Sequence, residues 1–484
     1  MVESTPMTLP GSIESALKKL QSAGYEAYIV GGSVRDALRG VTPHDYDMTT
    51  SATPEEVEAV FDGCRVVETG IRHGTVTVLL QGDPVEITTY RVDGDYRDHR
   101  HPDSVTFTRS LREDLARRDF TMNAIAYAPG IGYVDPFGGR ADIDAGIIRA
   151  VGDPARRFEE DALRILRALR FASVLGFTVE ADTATAAEEK KDLLTRVSGE
   201  RVREELMKLL TGKAAAGVLR RYASILAVCL PEIARTFGCP QRTPYHLFDV
   251  WEHTVRVVAA LPEDPVLRLA GLYHDVGKPL VRTTDHSGQD HFYGHPAIGA
   301  EALDLRMREL RFDRKSRERA VLLVRLHDDR FGPSDARILR LLSEIGYENF
   351  LSLCDLRAAD NAAQNTENPV IAETAKQIRT ARARGEALVA AGACLRIADL
   401  AVNGRDLTEC TGYRGHELGD ALHRLLDAVM DGAVESEGGP QLPYLGEHLL
   451  PCPGAVFRPP PIPRRKDWFA PLHAVRRAHG VFYV

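Results

Sequence analysis

No stretch of this chain is apolar for long enough to span a membrane, and its first residues show no signal pattern, so a cytoplasmic protein is expected. Seven cysteines are scattered among 484 residues without a Cys-x-x-Cys pair, which excludes a disulfide framework in favour of reduced thiols. No internal repeat is visible, so a repeat array is excluded too. Positive charge is in deficit: 61 Lys and Arg against 69 Asp and Glu leave a net charge of −8. That rules out a uniformly basic nucleic-acid binder and directs attention to local clusters. Three exist: Arg196, Arg201, Arg203 and Lys208; Arg306 through Arg319; and Arg379, Arg382 and Arg384. Together they can track a phosphate backbone, although each alone reads as a solvated helix face.

What is present fits about three domains with ordinary cores, since 44% of the residues are hydrophobic. Strands and helices alternate to about residue 150, and Thr53-Pro54-Glu55-Glu56 is a capping-box helix start. A turn at Asp135-Pro136-Phe137-Gly138-Gly139 and a last strand at 147–151 close this part. Beyond it the pattern is almost wholly helical.

The most informative run is Tyr28-Ile29-Val30-Gly31-Gly32-Ser33-Val34-Arg35-Asp36, followed by Asp45-Tyr46-Asp47. It reads as a buried strand, a two-glycine turn, a helix start and a second strand carrying two carboxylates. The glycines let a phosphate approach backbone N–H groups at the helix mouth, where Arg35 can clamp it. Residues i and i+2 of a strand share a face, so Asp45 and Asp47 can converge on one Mg²⁺. A second pair of strands, Thr75–Leu80 and 85–90, is joined by Gly82-Asp83-Pro84 and puts Glu86 opposite the core-facing Val85 and Ile87. Glu86 can complete the metal site or simply be an exposed edge residue.

Taken together, Gly31-Gly32-x-x-Arg35, Asp45-x-Asp47 and Val85-Glu86-Ile87 resemble the nucleotidyltransferase superfamily that includes DNA polymerase beta. More closely, the chain resembles class II CCA-adding enzymes and their poly(A) polymerase relatives. Glu113-Asp114-Leu115-Ala116-Arg117-Arg118-Asp119-Phe120-Thr121-Met122-Asn123-Ala124 is similar to the family's nucleotide-binding motif. Glu160-Asp161-Ala162-Leu163-Arg164-Ile165-Leu166-Arg167-Ala168-Leu169-Arg170-Phe171 is similar to its protein-template helix. The resemblance implies an α/β nucleotidyltransferase head with a polymerase-beta-like palm, followed by all-α neck, HD and tail domains. Expected boundaries are 1–150 for the head, 151–230 for the neck, 231–370 for HD, 371–434 for a tRNA-binding helical region, and 435–484 for a Pro-rich tail.

Elementary chemistry supports the template segment. Asp161 and Arg164, i and i+3 on a helix, share a face. Cytosine and adenine both present an amino donor beside a ring-nitrogen acceptor, which an Asp acceptor and an Arg donor complement. Guanine and uracil put a carbonyl where the amino group would be, so the Asp repels them. By resemblance this pair selects the base, Arg167 and Arg170 touch phosphate or ribose, and Gly32, Arg35, Arg118, Asp119 and Asn123 belong to the nucleotide site. Arg156, Arg157, Arg164, Arg167 and Arg170 are too little balanced by acids to read as surface pairs. Residues 91–102 are polar, too charged to pack, and resemble the flexible loop that CCA-adding and A-adding enzymes keep, with His101 in place of the usual Arg.

A second constellation lies in the helical half. His253, His274-Asp275, His295, His327 and Asp360 are imidazole and carboxylate ligands suited to a hydrolytic site of one or two divalent ions. Leu272-Tyr273-His274-Asp275-Val276-Gly277-Lys278-Pro279 resembles the HD phosphohydrolase signature, with Asp360 preferred over Asp355 as the distal acid. Further on, Val402-Asn403-Gly404-Arg405-Asp406-Leu407 and an amphipathic 417–430 stretch resemble the tRNA-holding region. Pro459-Pro460-Pro461-Ile462-Pro463-Arg464-Arg465-Lys466 resembles nothing in the family and reads as polyproline.

The expected activity is addition of C, C and A to tRNA from CTP and ATP with Mg²⁺ on Asp45 and Asp47, alongside HD-site end repair with an unidentified divalent metal. The alternatives are a poly(A) polymerase, an A-adding tRNA nucleotidyltransferase, and an HD phosphohydrolase with a non-catalytic RNA-binding head.

Overall fold

A computed structural model of the chain describes residues 6–43, 45–67, 74–94, 105–329, 332 and 334–434. The strands are β1 (Ala27–Val30), β2 (Asp47–Thr50), β3 (Arg65–Val67), β4 (Thr75–Leu80), β5 (Asp83–Thr89), β6 (Arg91–Asp93), β7 (Val105–Phe107), β8 (Ala126–Ala128) and β9 (Gly132–Val134). Seven of them form one sheet in the order β3-β4-β5-β2-β1-β8-β9. β2 and β5 run parallel with Met48 beside Ile87, whereas β1 is antiparallel to both β2 and β8. All four residues of β1 are buried, as its position inside the sheet demands.

Some local signals translate directly. Thr53 accepts from Glu56 N at 3.3 Å and Glu56 Oε2 accepts from Thr53 N at 2.7 Å, closing the capping box on the Pro54–Val60 helix. Gly31 ends β1 at φ 78°, a left-handed conformation that favours glycine, and turns the chain into the Gly32–Leu38 helix.

Other expectations need correcting. The head sheet closes on β8 and β9, not on 147–151. Only Ile147–Ile148 is a strand there, paired in parallel with Thr178–Val179 outside the main sheet. Thr121 N donates to the Arg149 carbonyl and Val151 N to the Asp119 carbonyl instead, bridging Phe120 to Ala150, so the residues after 148 leave the ladder. The start of the 91–102 segment pairs rather than loops, since β6 zips against β7. Its remainder, 95–102, lies outside the described residues, as does the 435–484 tail. Among the described residues the helical half carries one small ribbon of its own, Thr283–Thr284 against Asp290–His291.

By backbone proximity the chain divides into two compact units. One runs to Gly332 and adds Gly346–Ala383; the other is Pro333–Ile345 with the chain from Arg384 onward. The expected boundaries at 150 and 230 fall inside the first unit. The second has its own core of Leu339, Leu407, Leu425 and Leu426, closed by the Gly415–Met430 helix. Among the described residues no helix is long and apolar enough to cross a membrane.

Candidate active site and metal centre

The glycine turn, the first acidic strand and the Arg118 loop meet at one end of the sheet. A Cβ on Gly31 would lie 3.3 Å from Arg118 Nη1 and 3.4 Å from Asp47 Oδ2, so this turn brings cation and carboxylate together. Asp47 opens β2, opposite Val30 on β1, while Asp45 precedes the strand instead of lying on it. Alternation along β5 exposes Glu86, and the parallel register sets it beside Asp47 on the same face. Crowding by protein atoms raises the Asp47 pKa; Arg118 opposes this and Asp45 adds to it. Arg118 Nε is buried without a hydrogen-bond partner among the described residues, and Arg118 Nη2 stands 3.6 Å from Asp114 Oδ2. Oxygen-only donors beside a guanidinium with spare donors suit a hard divalent ion and a phosphate group.

From here a hydrogen-bond chain leads to the template segment. Arg35 Nη1 donates to Asn123 Oδ1 at 3.0 Å, and Asn123 Nδ2 donates to Asp119 Oδ1 at 3.0 Å. Arg167 donates twice to Asp119 Oδ2, at 2.9 and 2.6 Å. The rest of the Arg35 fork is on Asp36, at 3.0 and 2.9 Å. The guanidinium groups of Arg35, Arg167 and Arg170 gather around the buried Phe171 ring, 5.1, 5.6 and 3.9 Å from its centroid. Four residues expected at the nucleotide site are thus one connected network.

Burial alone would raise the Asp119 pKa, but the Arg167 charge and the Asn123 bond outweigh it and hold the acid at about 2. A depressed folded-state pKa stabilises the fold above the unfolded carboxylate's pKa, and that stabilisation is lost as pH falls. Here the shift corresponds to about 2 kcal/mol, present above pH ~4 and gone by pH ~2. Asp119→Asn is therefore expected to flatten the pH dependence of the unfolding free energy between those values, measured by urea titration. An unchanged slope would mean that Asp119 is not clamped in solution.

Two further sequence expectations change. Asp161 does not share a helix with Arg164. It ends the Pro154–Glu160 helix in extended conformation (φ −141°, ψ 103°), and the next helix starts at Leu163. The Asp161 carboxylate pairs with Arg201, whereas Arg164 donates to Glu160 Oε2 at 2.8 Å and to the carbonyls of Arg157 and Arg117, both at 3.1 Å. Nor is the template segment short of acids: Glu160 serves Arg156, Arg157 and Arg164, and Glu205 lies 2.6 Å from Arg170. Acids from distant segments supply the balance. The Arg306–Arg319 cluster is compensated similarly, by Glu232, Asp304, Glu318 and Asp264.

In the helical half all six expected ligands converge. Asp275 Oδ2 lies 3.2 Å from His274 Nε2 and 3.5 Å from His253 Nε2; Asp275 Oδ1 lies 3.3 Å from His295 Nε2 and 3.7 Å from His327 Nε2. Asp360 Oδ1 is 3.1 Å from His253 Nε2, while Asp355 is engaged by Arg382 elsewhere. In His274, His295 and His327 the Nδ1 lies 2.7, 2.8 and 2.7 Å from a backbone carbonyl, of Gly271, Phe292 and Val324 respectively. A carbonyl only accepts, so Nδ1 carries the hydrogen and Nε2 keeps its lone pair. His253 Nδ1 likewise lies 3.4 Å from the Ala363 carbonyl, and the Nε2 lone pairs face each other, at 3.3 Å between His253 and His274 and 3.1 Å between His295 and His327. Asp275 Oδ1 is buried with no hydrogen-bond partner among the described residues. Acceptors converging around an oxygen that no described donor serves fit bound cations, and the two trios that meet at Asp275 each bring their ligand atoms within 4.8 Å of one another.

Lys278 Nζ stands 2.7 Å from Asp275 Oδ2 and donates to Gln241 Oε1 at 2.8 Å. His246, missed from sequence, is 3.5 Å from that ammonium, and its ring packs edge-on against His253. Burial first, and then the Lys278 charge, push the His246 pKa down to about 3. His246 lies in an irregular turn before the Val250–Ala260 helix, so no periodicity marks it.

The fold and these sites define a nucleotidyltransferase head joined to an HD domain with a candidate metal centre. Residues 27–149 match the poly A polymerase head domain, 176–236 the probable RNA- and SrmB-binding site of polymerase A, and 244–399 the HD domain. The structure resembles the Bacillus stearothermophilus CCA-adding enzyme in complex with CTP: TM-score 0.64 and 32% identity, over 90% of this chain and 97% of that one. The chain belongs to the CCA-adding enzyme family. It is also 54% identical over 200 residues to the CCA-adding enzyme of Leuconostoc mesenteroides and 50% identical over 219 residues to that of Geobacillus thermodenitrificans. These matches span 41% and 45% of this chain and 49% and 54% of the relatives, so the chain spans about half the length of the relatives it matches in sequence.

Proposed function

We propose that this protein adds C, C and A, without a nucleic-acid template, to the 3′ end of tRNA, using CTP and ATP in the cytoplasm. The observation that carries this reading is the meeting of Gly31, Asp47 and Arg118 at the end of the sheet. Likeness to a CTP-bound family member supports it. Asp45 and Asp47 would hold Mg²⁺, with Glu86 beside them; the ion would lower the pKa of the attacking 3′-hydroxyl and neutralise the triphosphate. The Gly31-Gly32 turn, Arg35 and Arg118 hold the triphosphate, Asp119 and Asn123 fix the arginines around it, and Asp161 with Arg164 reads the base. Residues to about 150 act as the head, those to about 230 as the neck, and those to about 370 as the HD domain.

A second activity is favoured by Asp275, a buried carboxylate set between two histidine pairs. The HD centre would bind divalent metal and hydrolyse damaged RNA ends such as 2′,3′-cyclic phosphates.

The test is incubation with Mg²⁺ and tRNA lacking its CCA end, supplying CTP, ATP or both. Two C residues and then one A, with no further growth, is the expected product. Extension with ATP alone would indicate a poly(A) polymerase or A-adding enzyme. Failure to extend, with intact hydrolysis, would leave the HD centre as the enzyme.

A further inference from the structure

We propose that Arg201 is a positioning residue for base selection, fixing the plane of the Asp161 carboxylate so that this acid can reject uracil and guanine. The inference rests on the nucleotide-adding reading above and deepens it. Asp161 sits in a break between helices, where no regular ladder constrains its side chain. Arg201 Nη1 donates to Oδ1 at 3.1 Å and Nη2 to Oδ2 at 2.8 Å, a two-pronged grip that fixes orientation as well as distance. Oδ1 also accepts from Leu163 N at 3.1 Å. That oxygen is therefore occupied twice, whereas Oδ2 receives Arg201 alone and keeps an acceptor position for a base amino group.

The helix that supplies Arg201, Gly199–Thr211, is anchored. A Cβ on Gly199 would fall 2.2 Å from the Glu309 carbonyl oxygen, so its first turn is jammed against backbone. Val202, Leu206, Leu209 and Leu210 are buried along it. Glu205, one turn beyond Arg201, is 6% exposed and lies 2.6 Å from Arg170 and 3.9 Å from Arg167. One face of one helix thus holds three side chains of the template segment.

Rejection depends on this rigidity. A carboxylate held in place must face a uracil or guanine carbonyl and repel it, while one free to rotate turns its negative edge aside and the penalty vanishes. Discrimination of this kind comes from a fixed polar group that the wrong partner cannot satisfy. Lysine keeps the charge but not the planar fork.

The measurement is kcat/KM for CTP and for UTP on tRNA lacking CCA, with wild type, Arg201→Met and Arg201→Lys. Arg201→Met is expected to lower the CTP-over-UTP ratio by about tenfold to a hundredfold, with partial recovery in Arg201→Lys. Equal loss with both nucleotides, or an unchanged ratio, would assign Arg201 a purely structural role and overturn the proposal. Should Arg201→Met fail to fold, Arg201→Lys decides alone: a reduced ratio upholds positioning by the fork, and an unchanged one overturns it. A wild-type protein that adds neither C nor A would remove the nucleotide-adding reading itself, and the proposal with it.

Discussion

Asp47→Ala is expected to cut nucleotide addition by at least about a thousandfold while leaving tRNA binding within about twofold. Asp47 is the carboxylate at which glycine turn, arginine loop and acidic strand meet. Losing a metal-holding acid removes charge neutralisation on the triphosphate and activation of the hydroxyl together, which is several kcal/mol of transition-state stabilisation. The neighbouring atoms raise the Asp47 pKa, so the native state gains nothing from its charge in the absence of metal. The variant should therefore melt no lower than wild type. Primer extension, filter binding and thermal melting read the three quantities. Parallel loss of tRNA binding and melting temperature would make Asp47 a structural residue.

The second large effect concerns the histidine cluster. Asp275→Asn should strip the HD centre of bound metal and reduce hydrolysis to background, because both ligand trios contain Asp275. CCA addition should stay within about twofold, since the two sites share no ligand. Stability has a separate sign. Lys278 Nζ is 2.7 Å from the lost charge and only 6% exposed, and removing one partner of a buried pair costs about 3–5 kcal/mol. His274→Ala, which spares that pair, serves as the second variant. Elemental analysis of metal per chain and cyclic-phosphate hydrolysis decide the matter. Retained hydrolysis in both variants would move the activity to another site.

What was legible in the sequence depended on how far apart the partners are. The glycine turn, His274-Asp275 and the Thr53 capping box are short runs whose spacing sets their geometry, so residue order carried the information; Asp45-Tyr46-Asp47 did so only for Asp47, because β2 starts there and Asp45 falls before it. The break at Asp161 was not legible. Residues 156–171 keep a helical apolar pattern with no Gly or Pro, and the interruption is held from outside by Arg201, 40 positions away. One local sign existed, since Asp161 Oδ1 caps Leu163 N, as an Asp before an apolar run can. The acids that neutralise Arg167 and Arg170 were hidden for the same reason. Asp119 and Glu205 reach them only through the fold, and counting charges within one helix overstated the free positive charge. His246 approaches Lys278 across 32 residues from an irregular turn, where neither spacing nor periodicity marks a partner.

The pairing of Ile147–Ile148 with Thr178–Val179 has a consequence for how specificity can change. Those few parallel rungs, reinforced by Arg149 at 3.4 Å from Glu180, tie together the two ends of the segment that carries Asp161, Arg164, Arg167 and Arg170. The segment proposed to read the base is thus a cassette, closed at its own neck. Its interior can be exchanged for another of equal length without moving where the chain enters or leaves, provided the helix that bears Arg201 and Glu205 is exchanged with it.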